Sequence, residues 1–183
     1  MDAKVAAVET PRLLMRGWRA EDREPFYRLN SDPRVMEHFP ACLSRAESDW
    51  LAQRIETHFA THGFGLWAAE VRETGGFAGF IGLSVPTFKA PFVPCVEIGW
   101  RLDPAWWNRG LATEGAGAVL ALAFETLGLN EVVSFTVPAN RASRRVMEKL
   151  GMQHDPADDF DHPRLPEGHP LRRHVLYRKS RTT

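Results

Sequence analysis

The chain has 183 residues, of which 44% are hydrophobic and 25% are charged, and its formal net charge at pH 7 is +0. This length suits one domain with a sizeable core, and the composition is ordinary for a globular protein. Because the basic residues are spread along the chain, the charge pattern argues against a general nucleic-acid or membrane-surface binder.

The cysteines and apolar segments indicate the cellular compartment. Cys42 and Cys95 are the only cysteines, and no signal-like apolar run stands at the N-terminus. Neither cysteine has the spacing of metal ligands, and neither do His162 and His169. No apolar stretch approaches the length of a transmembrane helix. We therefore expect a cytoplasmic protein with reduced cysteines and no metal.

The first half of the chain predicts a strand, two helices and a hairpin. Residues 1–9 have no clear period, and we expect them to form a disordered leader. The elements that follow are a strand over 12–16, helices over 21–30 and 44–61, and strands over 63–71 and 77–85. Glycines at 75 and 76 favour a hairpin turn between the last two. Residues 87–94 contain too much proline for a central strand and are predicted to form a loop.

Residues 96–102 (VEIGWRL) predict a strand with two different faces. Alternation places the even-numbered residues, all of them apolar, on one face. It places Glu97, Gly99 and Arg101 on the other face. Because Gly99 leaves that second face without a side chain midway, the position could admit a ligand or mark a bulge.

A glycine-containing loop over 107–113 (WNRGLAT) follows this strand and opens into an apolar helix that runs to about residue 127. A helix N-terminus gathers anions through its unpaired N–H groups and its dipole. Gly110 would allow close approach, and Arg109 would add charge. The loop alone is a weak signal, because many strand–helix connections contain glycine. Gly115 and Gly117 indicate close packing of the helix against the sheet or against a ligand.

The last third of the chain predicts a strand over 132–137, a helix over 140–151 and a final strand over 173–179. Asn140 has the position of an N-cap. The inner face of that helix is predicted to carry Ala142, Val146 and Leu150. Residues 158–170 form a polar, proline-broken loop, which is a candidate for recognising an acceptor. We expect one α/β domain over residues 1–183, with a mixed sheet flanked by helices on both faces.

Three segments together closely resemble the GCN5-related N-acetyltransferase (GNAT) superfamily, namely residues 97–102 (EIGWRL), 109–114 (RGLATE) and 140–152 (NRASRRVMEKLGM). The likeness runs from residue 10 to residue 177. It is strongest to the branch that acetylates ribosomal-protein N-termini. It implies a mostly antiparallel mixed sheet and transfer of an acetyl group from acetyl-CoA, the co-substrate, to a primary amine in a ternary complex.

The resemblance also implies a binding site for acetyl-CoA. The strand backbone would hold the pantetheine arm and the loop would hold the pyrophosphate, with Asn140 bonding the arm besides capping its helix. The residues concerned are Ile98, Gly99, Trp100, Leu102, Arg109, Gly110, Leu111, Ala112, Thr113, Asn140 and Ser143. The oxyanion donor would be a strand N–H near Gly99 or Trp100. His38 and Phe39 either face the acceptor or are packed in the core or at the rim.

Two catalytic residues are expected from this likeness. Glu97 matches a glutamate that often serves as the base, although a strand carboxylate paired with Arg101 is the alternative. Many members have a tyrosine acid where Met147 stands, so we expect Ser143, one turn earlier, to protonate the leaving thiolate or else to stabilise the helix start. Many members also have Gln or Arg where Trp107 stands, so the loop would rely on backbone donors.

Several functions stay open at this level. The acceptor could be a small molecule, such as an amino acid, aminoglycoside or polyamine, or a protein N-terminus, and a homodimer is also open. The alternatives to an acetyltransferase are a non-catalytic CoA-binding or sensory domain, a domain that uses a longer acyl-CoA, and an interaction module whose glycine loop is merely a turn.

Overall fold

The computed structural model describes residues 6–181. Nine strands form one sheet system in the order β1-β2-β3-β4-β5-β6-β9-β7, with β8 also paired to β9. All neighbours are antiparallel except β5 and β6, which are parallel. The strands are β1 Val8–Glu9, β2 Leu13–Arg16, β3 Leu66–Val71, β4 Gly76–Ser84, β5 Glu97–Leu102, β6 Glu131–Thr136, β7 Gln153–His154, β8 Phe160–Asp161 and β9 Arg173–Ser180.

Four α-helices complete the fold: α1 Arg23–Ser31, α2 Arg45–His62, α3 Leu111–Ala121 and α4 Arg141–Lys149. After α3 the chain continues as a π-helical segment, Leu122–Thr126. The first predicted helix begins with a 3₁₀ turn at Ala20–Asp22. The predicted hairpin is present between β3 and β4, and residues 85–96 form the predicted loop.

Two helices show how the sheet is covered on both faces. Phe26 of α1 packs edge-on against Phe80 of β4, with 6.1 Å between the ring centroids. A Cβ built on Gly115 of α3 would lie 2.4 Å from Cδ1 of Ile81, the next residue of the same strand. Because successive strand residues point to opposite faces, α1 and α3 lie on opposite sides of the sheet.

The expectation of a disordered leader over residues 1–9 is wrong for its last two residues. Val8 and Glu9 pair with Met15 and Leu14 of β2, and the Ala6 carbonyl accepts a 2.8 Å hydrogen bond from the Trp67 indole. Residues 1–5 lie outside the described part of the chain. Three strands of two residues each, β1, β7 and β8, were not predicted, because so short a segment shows no alternation.

The inner face of α4 also differs from the prediction. Ala142 is exposed, whereas Met147 has 1% of its surface exposed and belongs to the main hydrophobic core. The prediction is therefore wrong at Ala142, whose small side chain has little apolar surface to bury, and α4 buries the larger Met147 instead. Val146 and Leu150 are half-buried.

The two helix glycines provide a test of this packing. A Cβ on Gly117 would meet Cδ2 of Leu150 at 3.8 Å, an ordinary contact, whereas the one on Gly115 would crowd Ile81. Gly117→Ala should raise the unfolding free energy by about 1 kcal/mol through helix propensity. In Gly115→Ala, overpacking of about 1–3 kcal/mol should offset or exceed that gain. Equal stabilisation of both variants in chemical denaturation would contradict this packing.

Candidate active site

Strands β5 and β6 separate in the middle of the sheet. They are paired at one register, Glu97 opposite Val133, where the Val133 N–H donates to the Val96 carbonyl at 2.9 Å. One step further along, the Ser134 hydroxyl donates to the Ile98 carbonyl at 2.9 Å, in place of a backbone group. Within residues 6–181 no ladder bond joins the strands beyond that point. The edge of β5 that faces β6 is therefore open.

Alternation along β5 decides which backbone groups reach this open edge. Val96 and Ile98 direct their carbonyls towards β6, whereas the Asp103 N–H bonds to β4 at the Ala78 carbonyl. Since alternate residues point to opposite edges, the N–H and C=O of Trp100 face the gap and those of Gly99 face β4. Trp100, rather than Gly99, is thus the strand residue able to offer an N–H donor to a ligand.

The loop after β5 is held in place by three polar contacts. The Trp107 indole donates to the Leu102 carbonyl at 2.7 Å. Arg12 donates to the Arg109 carbonyl at 2.8 Å and forms an ion pair with Glu114 at 2.6 Å. The Leu102 carbonyl accepts the Trp107 indole N–H, so Leu102 can offer pantetheine its N–H and the second lone pair of that carbonyl. A Gln or Arg at 107 would lack this indole anchor.

The N-terminus of α3 has the features of an anion site. Gly110 is its N-cap, with φ 76°, a conformation that suits glycine, and it makes no side-chain cap bond. Among the described residues, no side chain accepts from the first N–H groups of the helix, at residues 111–113. The Arg109 guanidinium lies 5.1 Å from the centre of the Trp106 ring, beside the same helix end. These groups could hold a phosphate through backbone donors and one cation.

Helix α4 begins near the same end of the sheet. Strands β5 and β6 are parallel, so the connections to α3 and α4 leave from their C-terminal ends at one edge. Asn140 caps α4, accepting the Ser143 N–H at 3.1 Å, and its amide donates to the Thr136 hydroxyl at 3.0 Å. Ser143 thus contributes a backbone N–H to the cap. Its half-buried hydroxyl forms no hydrogen bond within the described residues.

Glu97 lies on the other face of β5, opposite Ser84 of β4. The Ser84 hydroxyl donates to its carboxylate at 3.3 Å. Burial raises the pKa of Glu97 to about 7, and the Ser84 hydrogen bond partly opposes that rise. The alternative in which Glu97 pairs with Arg101 is wrong, because Arg101 donates instead to the Asn30 side chain at 2.6 Å. A carboxyl group that titrates near neutral pH is suited to general base catalysis.

Between Glu97 and Arg101 this face of β5 carries Gly99, which has no side chain. A Cβ built on Gly99 would meet no atom within 4 Å, and Gly82 stands opposite it on β4. Phe39, one of the residues predicted to lie near the acceptor, covers the Arg101 guanidinium at 4.2 Å from its ring centre. His38 lies 3.9 Å from the Glu37 carboxylate. The open face can therefore admit a small group next to Glu97.

Sequence reasoning missed an aromatic cluster beside this face. It joins the loop after β4 to β6, β8 and β9, and its members are Phe88, Phe92, Phe135, Phe160, His162 and His174. Burial lowers the pKa of His162 to about 4, with His174 nearby, so the ring is neutral at pH 7. Part of the predicted acceptor loop, 158–170, is thus packed. The spacing of phenylalanines in the proline-rich loop was the available signal.

The described residues provide no metal site and no membrane span. Within residues 6–181 there is no group of three or more His, Cys, Asp or Glu side chains that could hold a metal ion. In the same part of the chain, no helix is both long and apolar enough to cross a membrane.

Comparison with known proteins gives a consistent result. The sequence model of the acetyltransferase (GNAT) domain matches residues 12–153. The FsC-acetyl coenzyme A-N(2)-transacetylase of Aspergillus fumigatus is 34% identical over 156 residues, which are 80% of this chain and 65% of the fungal protein. The chain thus spans less than two thirds of that relative's length.

Solved structures share the fold over nearly the whole chain. An acetyltransferase from Agrobacterium tumefaciens superimposes with a TM-score of 0.78 at 27% identity, covering 97% of this chain and 96% of that one. The ribosomal-protein-S5-alanine acetyltransferase of Vibrio fischeri gives 0.73 at 15% identity, with 96% of both chains covered. The likeness to this second structure concerns the fold alone.

Two substitutions distinguish the structural roles of Asn140 and Ser143 in the cap of α4. Asn140→Ala removes the side-chain acceptor of the cap and should lower the unfolding free energy by about 1 kcal/mol. Ser143→Ala keeps the backbone N–H that is bonded, so its unfolding free energy should stay within about 0.5 kcal/mol of the wild type. Chemical denaturation measures both. A Ser143→Ala variant as unstable as Asn140→Ala would show that the hydroxyl has a structural role.

Proposed function

The chain belongs to the GNAT family of N-acetyltransferases, and we propose that it transfers the acetyl group of acetyl-CoA to a primary amine by direct attack in a ternary complex. The observation that supports this most is the open edge of β5, which carries the unpaired backbone groups of Trp100 and leads into the uncapped start of α3. The name of the Aspergillus relative supports acetyl-CoA as the donor and a nitrogen as the acceptor.

In this proposal the backbone of β5 and the first turn of α3 bind acetyl-CoA. The amide groups of the pantetheine arm can form hydrogen bonds with the edge of β5 that β6 leaves open. An extended peptide that adds a strand to a sheet edge binds in the same way. The N–H groups of residues 111–113 receive the pyrophosphate, and Gly110 with Arg109 borders it. Asn140 keeps one lone pair of its side-chain oxygen for the pantetheine arm after capping α4.

Glu97 serves as the general base. The amine nitrogen attacks the thioester carbonyl carbon, the C–N bond forms, the C–S bond breaks, and the nitrogen loses one proton. An α-amine has a reference pKa of about 7.7–8.0, so a base of pKa near 7 can take that proton directly or through water. Burial supplies that pKa for Glu97, and Gly99 leaves the space beside the carboxylate open.

Two further groups complete the proposed mechanism. The Trp100 N–H donates to the oxyanion that develops on the carbonyl oxygen. The Ser143 hydroxyl, which has no hydrogen-bond partner among the described residues, donates a proton to the leaving thiolate and takes one from a water molecule in the same step, so that no serine alkoxide is left. Met147 cannot take that part, because it lies in the core and a thioether has no proton to give. Since Ser143→Ala keeps the cap of α4, loss of turnover in that variant would report on the hydroxyl itself.

The base assignment is tested by steady-state kinetics against pH. In the wild type, kcat at saturating amine should rise with pH and level off above about 7, because Glu97 acts in its deprotonated form. Glu97→Gln should lower turnover by about 10²–10⁴, remove that acidic limb and leave acetyl-CoA affinity nearly unchanged.

Ser84→Ala is the matched control. It removes a hydrogen bond that lowers the pKa of Glu97, so the acidic limb should move to higher pH while the plateau persists. Normal turnover in Glu97→Gln would remove Glu97 from the mechanism. Binding of acetyl-CoA without turnover of any amine would favour a non-catalytic CoA-binding domain, and faster transfer from a longer acyl-CoA would reassign the donor.

A further inference from the structure

Arg101 holds a positive charge at the far end of the face that carries Glu97. Its Nη1 donates to the Asn30 side-chain oxygen at 2.6 Å. The guanidinium carbon lies 4.2 Å from the centre of the Phe39 ring and 5.3 Å from that of Phe80. The group is thus enclosed by two aromatic rings and one amide.

Asn30 fixes the direction of this arginine. It has no exposed surface, and its amide nitrogen donates to the Ser48 hydroxyl at 2.9 Å. With its nitrogen engaged by Ser48, the amide turns its oxygen towards Arg101 and holds Nη1 in place. The remaining donors of the guanidinium therefore have a defined orientation and are not used by Asn30.

Arg101 has no carboxylate partner within residues 6–181, and its Nε is buried without a hydrogen bond. Arg16 is the comparison within the same sheet, because it is buried more deeply than Arg101 and bonds both Asp22 and Glu70. Burial lowers the pKa of Arg101 to about 10, so it is still charged at pH 7. A buried cation without a counter-ion is costly, and the Nε–Nη2 edge of the fork is the geometry that fits a carboxylate.

The position of Arg101 connects this charge to the proposed chemistry. Glu97, Gly99 and Arg101 share one face of β5. The Cα atoms of Glu97 and Arg101 are about 13 Å apart, because a strand rises about 3.3 Å per residue and four residues separate them. Gly99, which stands between them, has no side chain, and a Cβ built there would meet no atom within 4 Å. A molecule in that space would meet a base at one end and a cation at the other.

We propose that the acceptor is a small amino acid-like molecule whose carboxylate pairs with Arg101 while its amine faces Glu97. This inference rests on the proposed acetyl transfer and names its substrate class. One guanidinium matches the single charge of a carboxylate, whereas a phosphate dianion would call for further cations that this face does not show within residues 6–181. The Arg101 guanidinium lies beneath the Phe39 ring, a position that fits the carboxylate at the end of a short molecule.

Thiol release from acetyl-CoA tests the proposal with paired acceptors, each amino acid set against its own carboxamide. The wild type should favour the acid at least about tenfold in kcat/KM. In Arg101→Met, kcat/KM for the acid should fall about a hundredfold. The same variant should change the rate with the amide less than about threefold, so the preference for the acid disappears. Arg101→Lys, which keeps the charge but loses the fork, should lie between the two.

Arg34→Met is the control for the substitution itself. Arg34 lies on the segment that also carries Phe39, is 70% exposed in its side chain and pairs with Asp32 at the surface. It should leave both rates at the wild-type level. Thermal unfolding of every variant shows whether Arg101 is instead a structural clamp between the two phenylalanines.

The outcomes separate this inference from the function on which it rests. Equal rates for acids and amides in the wild type, or equal losses for both in Arg101→Met with a lower Tm, would overturn it while leaving acetyl transfer intact. Turnover of acidic peptides in place of free amino acids would replace the small molecule with a protein N-terminus. Absence of thiol release with every amine, neutral or acidic, would overturn both proposals.

Discussion

The separation of β5 from β6 is the constraint on which the rest of the structure depends. The two strands are the parallel pair in the sheet, and they stay joined for one register before the Ser134 hydroxyl replaces a backbone donor at Ile98. Backbone groups inside a sheet are normally paired, so an open edge at this depth calls for a ligand. Because both strands point the same way, the helices that follow them begin at the same edge. The open backbone, the start of α3 and the start of α4 are therefore neighbours by topology.

The second constraint is that the two charged side chains on one face of β5 do not pair with each other. Glu97 and Arg101 carry opposite charges on one strand face, yet each has a neutral hydrogen-bond partner, Ser84 and Asn30 respectively. Pairing them with each other would return the pKa of Glu97 towards its usual range and neutralise the arginine. Keeping them apart leaves a base near neutrality and an uncompensated cation, with Gly99 as open space between. This is the arrangement expected for binding an amine and an acid in one molecule.

The sequence was sufficient where a long regular pattern carried the information. Alternation in residues 96–102 predicted the two faces of β5 correctly, and the two segments that contain Gly110 and Asn140 were recognisable from motifs. It was insufficient where partners come from far along the chain. The Asn30 bond to Arg101 joins residues that are 71 positions apart, and no local pattern predicts it. The Trp107 bond to Leu102 spans only five positions, but Trp107 lies in an irregular loop that has no periodicity. Met147 is a different case, because the resemblance places it where many members have a catalytic tyrosine, whereas in the structure it is part of the core. The aromatic cluster draws on four separate segments, which no single periodicity could reveal.

Amide hydrogen exchange at Trp100 tests the central claim most directly, because that N–H lies on the open edge of β5. Exchange should be measured with and without saturating acetyl-CoA, and the Gly99 amide, which faces β4, serves as the internal reference. We expect acetyl-CoA to slow exchange strongly at Trp100 and at residues 111–113, with a much smaller change at Gly99. Unchanged exchange at Trp100 in the presence of saturating, bound acetyl-CoA would contradict the account, because the ligand would then lie elsewhere than on the open edge.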